Sequence, residues 1–362
     1  MLEIEQSIFK DTVKMERELD KIYKQQIVEI ENEIIGFINR YVTENDTLDY
    51  KKVTTELLTG IDMIEYRNKI NEMSKIYQAT GDEEIMAEMN LLRGRQKVTL
   101  WQSLIDSIQM KLGVLSIEES ELLQEHLEFA YTYAFEHTAY LLAVNTGVEQ
   151  YFTMPNQNAL KEVIKYPISG EKFSKRIWKN NTALLAKLKE ELTRSAIQGK
   201  SITKIAKDLK PYLRDSNDKY ADYNAKRIAR TETAFMLESA TVETYKQVDL
   251  PKLQILATLD KRTCNHCGKH DLELVDVDKA KSGVNIPPFH PNCRCTTTPY
   301  IEGFEGTRTD NSDEGLMYGY NSLGNKVKAG RRKVSSNMSF EEWKRVFVNK
   351  ELTYEQWLEL KK

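Results

Sequence analysis

Proline is missing from residues 1–154, and all eight prolines of this 362-residue chain lie between Pro155 and Pro299. Proline breaks helix interiors because it lacks a backbone donor and clashes with the preceding turn. A run this long without one is permissive for long helices. Ile8, Met15, Leu19, Ile22, Ile27, Ile30, Ile34 and Ile38 recur mostly at three-, four- or seven-residue steps with charges between them. That spacing predicts an amphipathic helix of about 40 residues, long enough to need tertiary packing or a partner. Helical patterns continue over 64–78, 84–112 and 117–147, the last with an aromatic stripe (Phe129, Tyr131, Tyr133, Phe135, Tyr140) that reads as core.

Pro155, Pro167 and Gly170 mark a joint. Beyond it, one helix is predicted from Phe173 to Gln198, ended by Gly199. A short helix capped by Ser201 carries Ile202, Ile205, Ala206 and Leu209. A third runs from Asn217 to Val248, and Leu253–Leu259 reads as a strand. Residues 303–330 hold six of the sixteen glycines among many polar residues and read as a flexible linker. Ser339-x-x-Glu342 and Thr353-x-x-Gln356 are capping boxes, each followed by a tryptophan, Trp343 and Trp357. The expected fold is mainly α-helical. Its segments are a helical N-terminal region over 1–154, a helical region over 155–250, a small Cys-rich α+β module over 251–300, a linker over 301–338 and a helical hairpin over 339–362.

The four cysteines, Cys264, Cys267, Cys293 and Cys295, fall within one window of 32 residues, together with His266, His270 and His290. A secreted disulfide scaffold spreads many cysteines through a short chain, and this one does not. The first residues, Met1-Leu2-Glu3-Ile4-Glu5-Gln6, are acidic and mixed, unlike a secretory leader. Apolar stretches such as 139–144 are too short to span a bilayer. A soluble chain in a reducing compartment is expected. Cys264-x-x-Cys267, a gap, then Cys293-x-Cys295 with His290 just before is zinc-site spacing. Four thiolates, or three and an imidazole, surround the ion and staple a region with little core of its own. The candidate ligands are Cys264, Cys267 and Cys293, with either Cys295 or His290 as the fourth; free core thiols and disulfides are the alternatives.

Reactive readings fit less well. The deaminase pattern needs His-x-Glu before its cysteine pair, and His290 is followed by Pro291 and Asn292. No His-Glu-x-x-His occurs. A redox Cys-x-x-Cys belongs in a β/α pattern that is absent here. Gly199-Lys200-Ser201 fails as a P-loop because Arg194 stands where glycine is required. His270-Asp271 could form part of a metal-dependent nuclease or toxin-like effector. The net charge of −3 gives no global attraction to nucleic acid. A local basic run, Lys326, Lys328, Arg331, Arg332 and Lys333, offers a candidate DNA contact. Lys172, Lys175, Arg176, Lys179, Lys187, Lys189 and Arg194 are interleaved with Glu171, Glu190 and Glu191 and read as a solvated helix face.

Several motifs then follow in a fixed order. Arg176-Ile177-Trp178-x-Asn180 leads to Gly199-x-Ser201-x-x-x-Ile205-Ala206, then to Ala229-Arg230-Thr231-Glu232-Thr233-Ala234. Next come Thr258-Leu259-Asp260-x-Arg262-Thr263-Cys264-x-x-Cys267 and Pro287-Pro288-x-His290-Pro291-x-Cys293-Arg294-Cys295. Over 173–300 this series resembles the phage head-morphogenesis family typified by the minor head proteins of phages SPP1 and Mu. The resemblance implies a minor capsid protein associated with the portal protein, acting in procapsid assembly and in DNA packaging or ejection. Contacts with major capsid or scaffold protein and with DNA go with that role, as does a place in the virion, inside the capsid near the portal, after assembly in the host cytoplasm. It implies no catalysis and no membrane. The family often has Asp-Gly after the first cysteine pair; here Asp271 is followed by Leu272.

Overall fold

The computed structural model describes residues 2–80, 83–146, 152–213, 221–303, 306–320 and 326–361. In chain order the helices are α1 (Leu2–Arg40), α2 (Tyr50–Thr55), α3 (Gly60–Thr80), α4 (Glu83–Gly94), α5 (Leu100–Thr146), α6 (Gln157–Ile164), α7 (Phe173–Ile197), α8 (Ile202–Leu213) and α9 (Ala221–Gln247). Then come β1 (Lys252–Leu256), α10 (Asn265–Lys269), β2 (Leu274–Asp276), β3 (Thr296–Pro299), β4 (Thr307–Thr309), β5 (Leu316–Tyr320), β6 (Lys326–Arg331), β7 (Lys333–Ser335), α11 (Phe340–Trp343) and α12 (Tyr354–Leu360). The mainly helical expectation holds. No helix among the described residues is long and apolar enough to cross a membrane. The chain divides into two units, one of Asp11–His126 with Gly170–Ala229, the other of Met1–Lys10, Leu127–Ser169 and Arg230–Lys362.

The first unit is helical. Met15, Leu19, Ile30, Ile34 and Ile38 of α1 are buried, as the periodicity requires, and Tyr23 joins them. Each such side chain contributes roughly 1.5–3 kcal/mol of burial. Ile22 and Ile27 are only partly covered, because the buried stripe runs through Thr12, Glu16, Tyr23 and Gln26 instead. Several polar groups in this core are paired. The Tyr23 hydroxyl donates to Glu119 at 2.6 Å, and Asn181 Nδ2 donates to Ser116 at 2.8 Å. Asp106, fully buried, accepts from Tyr66 at 2.7 Å and pairs with Arg95. His126 lies between Thr12 at 3.3 Å and Asp11 at 3.2 Å.

Two helix boundaries depart from the sequence reading. The pattern over 84–112 is broken, with α4 ending at Gly94 and α5 starting at Leu100, where the Thr99 hydroxyl accepts the Gln102 N–H at 3.1 Å. The expected gap between 112 and 117 is absent, since Gly113 sits inside α5. An interior glycine costs about 1 kcal/mol against alanine and does not by itself end a helix packed along its length. The end of α7 follows expectation, with Gly199 at φ +62° and the Ser201 hydroxyl accepting the Lys204 N–H at 3.4 Å. The expected start of the next helix at Asn217 lies outside the described residues.

The second unit carries the sheet. Strand β1 is central, antiparallel to β2 and to β3, with Leu253 opposite Val275 and Pro299. Leu253 and Ile255 turn one face into a core with Leu142, Val242, Tyr245, Val277, Ala280 and Ile286. A second core gathers Ala257, Leu259, Cys267, Cys293, Cys295, Val334, Met338, Phe340, Trp343, Val346 and Trp357. Both expected capping boxes form. Ser339 accepts the Glu342 N–H at 3.3 Å while Glu342 accepts the Ser339 N–H at 2.9 Å, and Thr353 and Gln356 do the same at 3.2 and 2.7 Å. A π-helical turn, Lys344–Val348, continues α11.

The segment 301–338, read as a flexible linker, instead holds β4 to β7, paired as β4–β7 and β5–β6. Glycine content misled because at least one glycine is there for close packing. A Cβ on Gly315 would stand 2.5 Å from the Asp310 carbonyl oxygen and 2.7 Å from its Cγ. Arg308 is the other anchor. Its guanidinium, 5% exposed, pairs with Asp271 at 2.8 and 2.9 Å and donates to the carbonyls of Ala257 and Met338 at 2.7 Å each. Asp271 also accepts the N–H groups of Ala257 at 2.7 Å and Phe340 at 2.6 Å.

Candidate metal centre

The Cys-rich segment is built from two tight turns. In the first, Cys264 caps α10 in extended conformation, and its sulfur accepts the Cys267 N–H at 3.4 Å. The first helical turn then brings Cys267 round to the side of Cys264. Gly268 follows because Phe340 lies flat against it; a Cβ there would meet the ring at 2.4 Å. In the second turn, the Cys293 N–H donates to the His290 carbonyl at 3.1 Å, with Asn292 in the left-handed region at φ +60°. The Asn292 N–H is held by the Thr231 hydroxyl on α9 at 3.1 Å. That bond gives the Ala229–Ala234 motif a structural role. Arg230 is exposed and Glu232 buried, so these two face different sides of the helix.

The turns converge. His290 Nε2 lies 3.3 Å from Cys264 Sγ and 3.1 Å from Cys267 Sγ, and Cys267 Sγ lies 3.8 Å from Cys293 Sγ. Two donor triads result, Cys264–Cys267–His290 and Cys267–Cys293–Cys295, each within 4.8 Å and sharing Cys267. Thiolates about 2.3 Å from a tetrahedral ion stand a little under 4 Å apart, so the observed edges suit a metal. His290 Nδ1 is 2.9 Å from the Pro291 carbonyl, which places the ring proton there and aims the Nε2 lone pair at the thiols. All four cysteines are free of disulfides.

Electrostatics favour anionic sulfur at Cys293 and Cys264 and disfavour it at Cys267 and Cys295. Hydrogen bonds from the Cys267 and Cys295 thiols pull Cys293 far below the usual thiol range, while the same contact with Cys293 pushes Cys267 up. Burial opposes ionisation of Cys264, yet the Cys267 backbone N–H and thiol together with His290 outweigh it and lower the thiol. Burial also opposes charge on His290, but the Pro291 carbonyl and neighbouring sulfurs raise it. The cluster can hold a metal ion.

Arg294, between Cys293 and Cys295, turns away to a bidentate pair with buried Asp260, one arm at 2.9 Å. Burial works against ionised Asp260, but the Arg294 guanidinium holds its carboxyl below the ordinary range. Thus Asp260 and Arg294 brace the two turns from outside. Leu272, where the resembling family often has glycine, adopts φ +63°. The left-handed turn is kept with a leucine in it, at a cost of about 1–2 kcal/mol. His270 is not in either triad. It is 2.6 Å from Glu273 and stacks on Phe289 at 4.8 Å between centroids.

The basic run lies elsewhere. Lys326 and Lys328 are on β6, Lys328 exposed. Arg331 donates to the Ser312 carbonyl at 2.8 Å, Arg332 to the Glu314 carbonyl at 2.7 Å, and Lys333 to the Thr309 hydroxyl at 2.8 Å. Arg332 also covers the Phe347 ring at 4.4 Å. Three of the five charges therefore tie the β-hairpins together.

Comparison with known proteins places this segment. Curated proteins include an NAD(+)–arginine ADP-ribosyltransferase of Enterococcus faecalis, 26% identical over an alignment of 191 residues that covers 48% of this chain. The chain spans 38% of that relative's length. No solved structure matches. Residues 186–298, which contain α8, α9, β1 and both cysteine turns, match the family described as phage Mu protein F like protein, and that segment carries the family resemblance read from the motifs.

Proposed function

We propose that this chain is a minor head protein of a tailed phage. It sits at the portal in few copies and acts in procapsid assembly and in DNA packaging or ejection. The observation that carries this reading is the family match over 186–298, which covers the Thr231–Asn292 contact and the cysteine turns. The role is architectural, in the virion, with contacts to portal protein and to major capsid or scaffold protein. The resident ion of the cysteine cluster is zinc. Soft thiolates with one imidazole in tetrahedral spacing select it, and it supplies cross-linking energy rather than a reactive centre. Within the basic run, DNA contact falls to Lys328, exposed on β6.

Co-expression with the portal protein of the same phage tests the reading. A stable complex on size exclusion is expected; a portal that elutes alone, with fully functional heads formed without this chain, refutes it. A second reading rests on the E. faecalis relative: transfer of ADP-ribose from NAD to arginine. Incubation with labelled NAD and an arginine-rich acceptor distinguishes the two, since the architectural role predicts no label.

A further inference from the structure

We infer that the metal is held by Cys264, Cys267, His290 and Cys293, and that Cys295 is a core thiol outside the coordination sphere. The inference rests on the metal reading above and decides which of five candidate donors bind. Sequence spacing pairs Cys293 with Cys295; backbone geometry pairs Cys293 with His290. Cys264-x-x-Cys267 and His290-x-x-Cys293 share a donor spacing, the first in a helical turn and the second in a tight reverse turn. Each places two donors three residues apart across one turn, and each is closed by a backbone bond, Gly268 N–H to Cys264 carbonyl at 3.0 Å and Cys293 N–H to His290 carbonyl at 3.1 Å. Two turns with two donors each complete a tetrahedron.

The distances within the first triad and across to Cys293 fit this pairing, while Cys295 Sγ also lies within 4.8 Å of Cys267 and Cys293. His290 Nε2 contacts both sulfurs of the first turn at 3.1 and 3.3 Å, and Cys293 reaches Cys267 at 3.8 Å. His290 has no other evident task. It is partly exposed, and its Nδ1 is fixed by its own turn so that Nε2 faces sulfur. Cys295 is different. It lies beyond the turn, where the chain enters β3, with its neighbours Thr296 and Thr297 bonded to buried Glu238 at 2.6 Å each. It is buried in the same core as Cys267 and Cys293, so its place beyond the turn, not its burial, sets it apart from them.

Cobalt substitution of the full chain gives the test. Co(II) reports thiolate number through its sulfur-to-metal charge-transfer band and needs no activity. Three thiolates and one ion per chain are expected for the unaltered protein. Cys295→Ser and Cys295→Ala should keep the ion and the band, whereas Cys293→Ser should lose about one-third of the band. His290→Ala should weaken metal affinity by at least tenfold, the smaller loss already seen when only an outer-shell partner is removed. A four-thiolate spectrum in the unaltered chain, or loss of a thiolate in either Cys295 variant, overturns the assignment while leaving the metal reading intact. An unaltered chain that takes up no ion overturns both. A four-thiolate spectrum of the unaltered chain overturns the assignment even where a variant fails to fold, and a Cys295 variant that folds tells Cys293 from Cys295.

Discussion

The buried Asp271–Arg308 pair gives the sharpest energetic prediction. Asp271 is 1% exposed at its side chain, and each of its oxygens accepts two bonds, one from Arg308 and one from a backbone N–H. Asp271→Asn removes the charge and cannot accept at both sites, because its amide nitrogen would face donors. Removing one partner of such a pair costs about 3–5 kcal/mol, since the other charge stays buried. At about 1.4 kcal/mol per tenfold, that raises the opening equilibrium by roughly two to nearly four powers of ten. Arg308→Met should cost about as much. The double variant should cost less than the sum by at least about 1 kcal/mol, because the stranded charge is gone. A melting curve reports both units together, so native-state hydrogen exchange at the Ala257 and Phe340 amides is the more direct measurement here. Singles that raise exchange less than tenfold, or a double that is simply additive, would refute the reasoning.

Other outcomes follow from single positions. Gly315→Ala should destabilise the second unit by about 1–3 kcal/mol, because the new Cβ meets the Asp310 backbone; a melting curve unchanged within error contradicts it. Burial depresses His126 below its ordinary pKa, with Asp11 opposing. The unfolded chain therefore binds the proton more readily, so His126's contribution is complete above about pH 6.5 and is lost as pH falls through the lower folded value. Melting temperature should drop between pH 7.5 and 5.5 more steeply in the parent than in His126→Gln; equal slopes would sink this. Chelation at neutral pH should lower the melting temperature of the second unit and loosen 257–299 in hydrogen exchange, and zinc should restore both. Indifference to the chelator argues for a metal-free core.

The helical framework was legible because a single stripe of isoleucines on α1 and two capping boxes carry local physics that needs no tertiary knowledge. The cysteine turns were legible as a group, since clustering of all the thiols is a property of composition. The pairing inside the group was not, because His290 and Cys293 are joined by a backbone turn that depends on a left-handed asparagine held by Thr231 from 61 residues away. Arg308 was invisible for a related reason. It lay in a glycine-rich stretch, and its partner Asp271 is 37 residues earlier. Glycine there signals close contact, as at Gly315, and sequence alone cannot separate that from freedom. The gap expected in α5 failed in the opposite sense, with packing along the helix overriding the weak propensity of Gly113.

Phe340 lying against Gly268 has a kinetic consequence. The ring seals the back of the short helix that carries Cys267, and Cys267 and Cys293 are buried. Cys264 and the partly exposed His290 form the outer rim. That exposed rim gives an ion a route in and out while the C-terminal helices stay in place. Exchange with a chelator should then follow the lability of two outer ligands rather than the unfolding rate of the unit, so that metal turnover and structural opening run on separate clocks.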